Sequence, residues 1–284
     1  MSQNLHKPTY LKELCLEYGL SPSKKYGQNY LITDAPIQKM VEAAGVSSKD
    51  TIIEIGPGFG VLTFALVQKA KEVISFEIEK KLVSYWDSQK EIHKNLQLIW
   101  GNFLKEFPNF QSQLTNYKVV ANLPYQVTSN VLRVLLESEK KPKSITVMVQ
   151  KEVAERICAK AGDMSLLSVS VQYYGKPKII TKVPSGCFWP APKVDSAVIH
   201  IDVEQSSHTH HADEQFFSYV RAGFSNKRKQ LAKNIASQFP LKESFIRETL
   251  ESISLNPKAR AQDLLVSDWQ AFLTKLFQTE KISL

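Results

Sequence analysis

Cysteine is scarce in this chain: Cys15, Cys158 and Cys187 are the only three among 284 residues. They lie too far apart for a CxxC pair, which argues against a disulfide scaffold and a thiolate zinc cluster and predicts reduced thiols. Long apolar runs are missing as well. None approaches the roughly 18 residues needed to cross a bilayer, and the opening MSQNLHKPTY has no signal-peptide h-region. The expectation is a soluble, cytoplasmic protein with no membrane partner. No GxxxxGK[ST] phosphate loop is present, nor a Ser, His and Asp set around a nucleophile elbow, so P-loop and triad-hydrolase chemistry are set aside. Internal repeats and low-complexity tracts are absent too. His208, His210 and His211 have no fourth ligand at suitable spacing, and no metal site is expected.

What is there points to an enzyme-sized chain with a polyanionic partner. Hydrophobic residues make up 43% of the sequence, ample for a core, and the length suits two domains or one with an appendage. The net charge is +8. Residues 140–193 hold ten Lys or Arg against three acids, a local +7 that nearly equals the whole excess. A concentrated positive field favours a polyanion such as RNA, DNA or an anionic membrane surface.

The chain opens with an amphipathic helix carrying Leu11, Leu14, Cys15 and Tyr18, followed by the polar stretch Lys24 to Leu31 and a helix from about Asp34 to Ala44. Strand and helix then alternate. Strands are expected at Thr51–Ile55, Val73–Ile78, Leu96–Trp100, Lys118–Ala121 and Ile145–Val149. Helices are expected at Val61–Lys71, Glu79–Gln89, Ser129–Leu136 and Lys151–Ala161. This pattern implies βαβ units and a mostly parallel, doubly wound sheet. After a further helix, Ser165–Tyr173, the strand-like runs Lys178–Val183 and Val194–Val203 are close enough to pair antiparallel at one edge. Residues 204–214 read as a linker, and Phe216–Phe277 as a small all-helical domain. The expected division is 1–204 and 205–284.

Two motifs carry chemistry. Asn122-Leu123-Pro124-Tyr125 follows an apolar strand. The Asn122 amide oxygen and a neighbouring carbonyl, Leu123 or Pro124, can accept hydrogen bonds from an aromatic amine, orienting its lone pair, while Tyr125 can stack on the base. The turn Glu54-Ile55-Gly56-Pro57-Gly58-Phe59-Gly60 joins the first strand of the alternating region to its helix, and its glycines let the backbone approach a ligand. Its order, GxGxG with Val61 next, departs from the dinucleotide GxGxxG fingerprint. Glu77 closes the next strand, where a carboxylate suits ribose hydroxyls of NAD or adenosylmethionine alike. Asn102, after the third strand, can receive an adenine amine on its side-chain oxygen.

Together these residues resemble the ribosomal RNA adenine N6,N6-dimethyltransferases of the KsgA type, relatives of the Erm methyltransferases. Gly27-Gln28-Asn29-Tyr30-Leu31 is similar to the family's GQNFL motif, Glu54–Gly60 to EIGPGxG, Gly101-Asn102 to GD, and Gln150–Ala154 to QKEVA. Phe188–Ser196 resembles FxPxPKVDS, and Phe224–Leu231 the basic motif of the C-terminal domain. The resemblance implies a Rossmann-like class I S-adenosylmethionine-dependent methyltransferase sheet with a helical C-terminal, RNA-binding domain. It assigns the cofactor to Gln28, Asn29, Leu31, Gly56, Gly58, Glu77, Ile78, Asn102, Phe103 and Asn122, and the target adenine to Asn122, Leu123, Pro124, Tyr125 and Phe188. It implies a monomer that dimethylates two adjacent adenosines near the 3′ end of 16S ribosomal RNA in a late precursor of the 30S subunit. Asn102 stands where the family has Asp, and Tyr30 where it has Phe.

Candidate phosphate contacts are Lys24, Lys25, Lys151, Lys193, Lys227, Arg228 and Lys229. Arg156, four residues after Glu152, is expected instead to pair with it along a helix. An Erm-like 23S ribosomal RNA methyltransferase, a DNA adenine methyltransferase, and a non-catalytic assembly or transcription factor on the same fold are the alternatives. DNA enzymes usually read DPPY or NPPY and carry a larger sequence-reading domain, and the intact motifs oppose a decayed site.

Overall fold

The computed structural model describes residues 2–20, 29–205 and 210–280. Met1–Glu155 with Gly175–Glu204 forms one compact unit, and Arg156–Tyr174 with Gln205–Leu284 a second. The expected division at 204 therefore needs one correction, because residues 156–174 pack with the C-terminal helices. The cause is aromatic: Tyr173 stacks on Phe216 at 4.3 Å, and the Tyr173 and Tyr174 hydroxyls both donate to Asp213, at 2.8 and 2.9 Å.

In chain order the elements begin with α1 (Pro8–Glu17), β1 (Tyr30–Leu31), α2 (Asp34–Ala43), β2 (Thr51–Ile55), α3 (Val61–Val67), β3 (Glu72–Glu77) and α4 (Val83–Ile92). Then come β4 (Leu96–Trp100), α5 (Phe103–Phe110), β5 (Tyr117–Asn122), α6 (Thr128–Leu136), β6 (Ser144–Gln150), α7 (Lys151–Ile157) and α8 (Leu166–Tyr174). The chain continues through β7 (Gly175–Val183), β8 (Phe188–Trp189), β9 (Ser196–Val203), α9 (His210–Gly223), α10 (Leu231–Ala236), α11 (Glu243–Ser252) and α12 (Val266–Glu280).

The main sheet has the order β4-β3-β2-β5-β6-β9-β7. Pairs from β4 through β6 are parallel, whereas β9 runs antiparallel to both β6 and β7, as the sequence pattern predicts. Strands covered on both faces need apolar residues at successive positions rather than alternate ones. Ile52, Ile53, Val119, Val120, Ala121, Val147, Met148 and Val149 supply them, all fully buried. Each of these but Ala121 contributes roughly 1.5–3 kcal/mol relative to exposure. Strand order reverses between β2 and β5, and ligands of such sheets bind in the crevice beyond the carboxyl ends at that point.

Two elements are absent from the sequence reading. The ribbon β1–β8 pairs Tyr30 with Trp189 and Leu31 with Phe188, too short to leave a periodic signal. Helix α5 contains Pro108, normally a helix breaker. Phe103 and Phe107 nevertheless pack on Phe76 at 5.1 and 6.4 Å, and this burial overrides the local penalty. The expected helix at 79–89 begins only at Val83, because Glu79 first caps a 3-10 turn by accepting from Lys81 N–H. The expected linker is shortened, since His210 and His211 open α9; His208 lies outside the described residues. The second unit is helical throughout its described residues, with Trp269, Phe272, Leu231, Ile246 and Leu250 buried in its core. Among the described residues no helix is long and apolar enough to cross a membrane.

Candidate active site

Beyond the carboxyl ends of β2, β3 and β5, segments far apart in sequence line one cleft with about 930 Å³ of empty space, counting its open mouth. The glycine turn forms its floor. Gly58 and Gly60 have φ of +57° and +90°. A Cβ on Gly58 would stand 3.3 Å from the Tyr30 ring, and one on Gly60 2.8 Å from Phe64 and Trp86, so both positions need glycine for conformation and for space. Side chains of α4 hold the turn from behind: Trp86 Nε1 donates to the Gly58 carbonyl at 3.0 Å and Tyr85 OH to the Phe59 carbonyl at 2.7 Å.

Two buried carboxylates flank this turn. Glu77 accepts from Gly58 N–H at 3.1 Å on one oxygen and from Glu79 N–H at 2.7 Å on the other. A carboxylate offers about four acceptor positions, and even with the Ile78 amide also bonding to it, acceptor capacity remains for a ligand. Burial raises its pKa against the pull of these amides. Glu54 is buried deeper, its Oε2 accepting from Thr63 Oγ1 at 2.8 Å and Ser75 Oγ at 2.7 Å. Desolvation pushes its pKa up to about 7, partly opposed by those hydroxyls.

Asn122 ends β5 opposite Met148 of β6, and Leu123 N–H donates to the Met148 carbonyl at 3.2 Å. Parallel pairing thus fixes where the tetrapeptide leaves the sheet. The Pro124 carbonyl accepts from Val127 N–H at 3.1 Å, which leaves Leu123 as the better backbone acceptor of the two proposed from sequence. The Tyr125 hydroxyl lies 2.8 Å from Ser196 Oγ, anchoring the ring to the start of β9. Burial raises the phenol pKa, so the hydroxyl stays protonated at neutral pH.

Of the sequence-selected residues, Asn29, Leu31, Gly56, Gly58, Glu77, Ile78, Asn122, Leu123, Pro124, Tyr125 and Phe188 all line this cleft. Gln28, Lys24 and Lys25 lie outside the described residues. Asn102 and Phe103 are not among the lining residues. Asn102 Oδ1 accepts from Leu104 N–H at 2.9 Å as the cap of α5, so its oxygen is already half engaged. The Phe103 ring is buried, and only its backbone amide, first in the helix, lacks an intrahelical acceptor by position.

The expected Glu152–Arg156 pair does not form among the described residues; Lys151 instead stands 3.9 Å from Glu155. Lys193 is exposed, and Lys227, Arg228 and Lys229 sit exposed on the turn between α9 and α10 rather than on a helix. Sequence reasoning missed Glu54, Met40 and Met148 as lining residues and Ser196 as the partner of Tyr125. Met148 becomes visible only through strand register. Glu54 and Ser196 lay inside quoted motifs, but their contacts are long-range.

The comparisons agree with this geometry. Residues 20–278 match the model of the family described as ribosomal RNA adenine dimethylase. The chain is 40% identical over 261 residues to the ribosomal RNA small subunit methyltransferase A of Dehalococcoides mccartyi, covering 91% of this chain and 90% of that protein. The protein of the same name from Geobacillus thermodenitrificans is 35% identical, with 97% and 98% covered. A dimethyladenosine transferase from Plasmodium falciparum superposes with a TM-score of 0.74 at 26% identity, over 89% of this chain and 98% of that one. The 23S rRNA methyltransferase ErmE shares the fold, with a TM-score of 0.70 at 23% identity over 87% and 98%. With its cleft, its sheet order and a family match over most of its length, this chain belongs to the ribosomal RNA adenine dimethylase family.

Proposed function

We propose that the chain uses S-adenosylmethionine to dimethylate N6 of two adjacent adenosines near the 3′ end of 16S ribosomal RNA, acting as a cytoplasmic monomer on a late precursor of the small subunit. The observation that carries the reading is the meeting of Asn122, Leu123, Tyr125 and Phe188 with the glycine turn and Glu77 in one cleft. The names of the relatives from Dehalococcoides and Geobacillus support the choice of the small subunit.

The residues fit the cofactor. Glu77 retains acceptor positions for ribose hydroxyls, the turn at Gly56 and Gly58 has no side chain in the way, and Ile78 offers an apolar face 45% exposed. Asn29 and Leu31 line the same cleft for the methionine portion. When bound, S-adenosylmethionine supplies a methyl group on a sulfonium with a neutral thioether as leaving group.

The chain's own work is positioning. Asn122 Oδ1 and the Leu123 carbonyl accept the two N6 hydrogens, which turns the amine lone pair toward the methyl donor. Tyr125, held by Ser196, and Phe188, buried in the β1–β8 ribbon, clamp the base that has left its RNA stack. Fixing both reactants in this way can be worth on the order of 7–11 kcal/mol. No strong base is required, because the N6 proton becomes acidic only once the methyl has transferred. Labelled methyl transfer to immature small subunits, to large-subunit RNA and to duplex DNA, with mass mapping of the product, tests the reading. Dimethyladenosine confined to the small subunit is the expected result, and label in either other substrate would overturn it.

A further inference from the structure

The basic cluster of the helical unit is half of a paired construction. Asn226 Oδ1 accepts from Arg228 N–H at 3.2 Å, and the Asn226 carbonyl from Lys229 N–H at 3.1 Å. Thirty positions later the same turn recurs: Asn256 Oδ1 accepts from Lys258 N–H at 2.9 Å, and the Asn256 carbonyl from Ala259 N–H at 2.9 Å. Each turn thus locks its own backbone through the asparagine side chain.

The two turns are joined directly. Leu231 N–H, just after the first, donates to the Ala259 carbonyl of the second at 2.8 Å. Arg247 of α11 bridges them, with Nη2 on Gln230 Oε1 at 2.5 Å and Nη1 on the Pro257 carbonyl at 3.0 Å. Its charge is met by Glu243, so the bridge is nearly neutral. From inside, Asn234 Nδ2 donates to the Gly223 and Asn226 carbonyls at 2.6 and 2.9 Å, with its side chain buried. Lys227, Arg228, Lys229 and Lys258 all remain exposed, and among the described residues none is in an ion pair.

Like charges set side by side repel, and among the described residues no ion pair offsets it; a rigid frame that nonetheless displays them suits a polyanion of fixed spacing. We infer that Lys258 is a phosphate-contacting residue of the same RNA-backbone surface as Lys227–Lys229, and that Arg247 is the positioning residue that holds the two turns in register. This rests on the reading of ribosomal RNA as the substrate. A backbone contact fixes register without reading sequence, which is what an enzyme aiming at one pair of adenosines needs from residues that carry no chemistry themselves.

The full-length protein is titrated with immature small subunits over a salt series. Lys258→Ala should remove about 0.7 to 0.9 from the slope of log affinity against log salt, and Lys258→Arg should restore it. Arg247→Gln should weaken binding severalfold and lower the slope as well, because it acts through the contacts it positions. A purely structural role for Lys258 would change the unfolding temperature and leave the slope alone. An unchanged slope in Lys258→Ala overturns the inference, and so does parent-like binding by a folded Arg247→Gln. Methyl transfer by the parent protein is measured on the same subunits. A silent parent strikes the proposed activity, while a flat response to Lys258→Ala beside an active parent strikes the paired-turn surface alone.

Discussion

Asparagine serves opposite ends in two regions of this molecule. At Asn122 the side chain lines the cleft and makes no hydrogen bond among the described residues, leaving its amide oxygen for a ligand. At Asn226 and Asn256 the side chain folds back onto its own backbone and is consumed in building the turn, while the neighbouring cations are left to meet the partner. In the proposed reaction a single atom of the cleft acts where water is displaced and the effective dielectric is low, so its loss should be large and insensitive to salt. On the turns several charges act through screened, additive attraction, and each alone is modest.

The contrast is broken most severely at Asn122. Asn122→Ala should lower methyl transfer by about a hundredfold or more while cofactor affinity stays within a few-fold, the size expected for one preorganised acceptor. Single-turnover assays beside calorimetry make the check; near-normal turnover would falsify the assignment. At the other pole, replacing Lys227, Arg228 and Lys229 together with Ala should lower the salt slope for subunit binding by about 2.1 to 2.7, at about 0.7 to 0.9 per contact. Cofactor affinity and unfolding temperature should hold. If the slope is retained, the RNA grip lies instead in the basic stretch between Lys140 and Lys193.

Glu54 sharpens the comparison from within the cleft, because its carboxyl is raised from 4.5 to about 7 by burial. A carboxyl raised on folding contributes fully below about pH 4.5, and that contribution is lost as pH climbs through about 7. Glu54→Gln cannot ionise. Relative to the parent, its stability should therefore improve by on the order of 1–2 kcal/mol between about pH 5.5 and about pH 8.5. Denaturant titrations at the two pH values decide it, and parallel behaviour of the two proteins would remove the buried-acid account.

The smallest expected effect is at Asn102, which caps α5 just beyond the end of β4. Asn102→Asp gains a second oxygen, so one can cap Leu104 N–H while the other accepts an adenine amine. S-adenosylmethionine should bind as well or up to a few-fold tighter. A tenfold loss by calorimetry would show a pocket adapted to the amide.

Much of the site was legible because its chemistry is written in contiguous segments. Gly56–Gly60, Glu77 and Asn122–Tyr125 each sit at the end of a strand whose apolar run marks it, and the strand alternation implies that those ends lie on one edge. Less legible were features set by partners far along the chain. Helix α5 went unread; it carries Pro108, and what holds it is Phe76 packed on Phe103 and Phe107. Residues 156–174 read as part of the sheet unit, yet Tyr173 and Tyr174 tie them to Asp213 and Phe216 in the helical one.

The sequence by itself determined the parallel sheet, the helical C-terminal region and the residue types of the cleft, because strand period, glycine turns and proline-fixed motifs are local properties of the chain. Only the tertiary structure decided which carbonyl is already engaged, which acid is desolvated and which basic turns are joined. Those outcomes depend on desolvation and on hydrogen bonds between residues tens of positions apart, as between Tyr125 and Ser196, Glu54 and Ser75, or Leu231 and Ala259. Such energies exist only once packing has brought the groups together and removed the water between them.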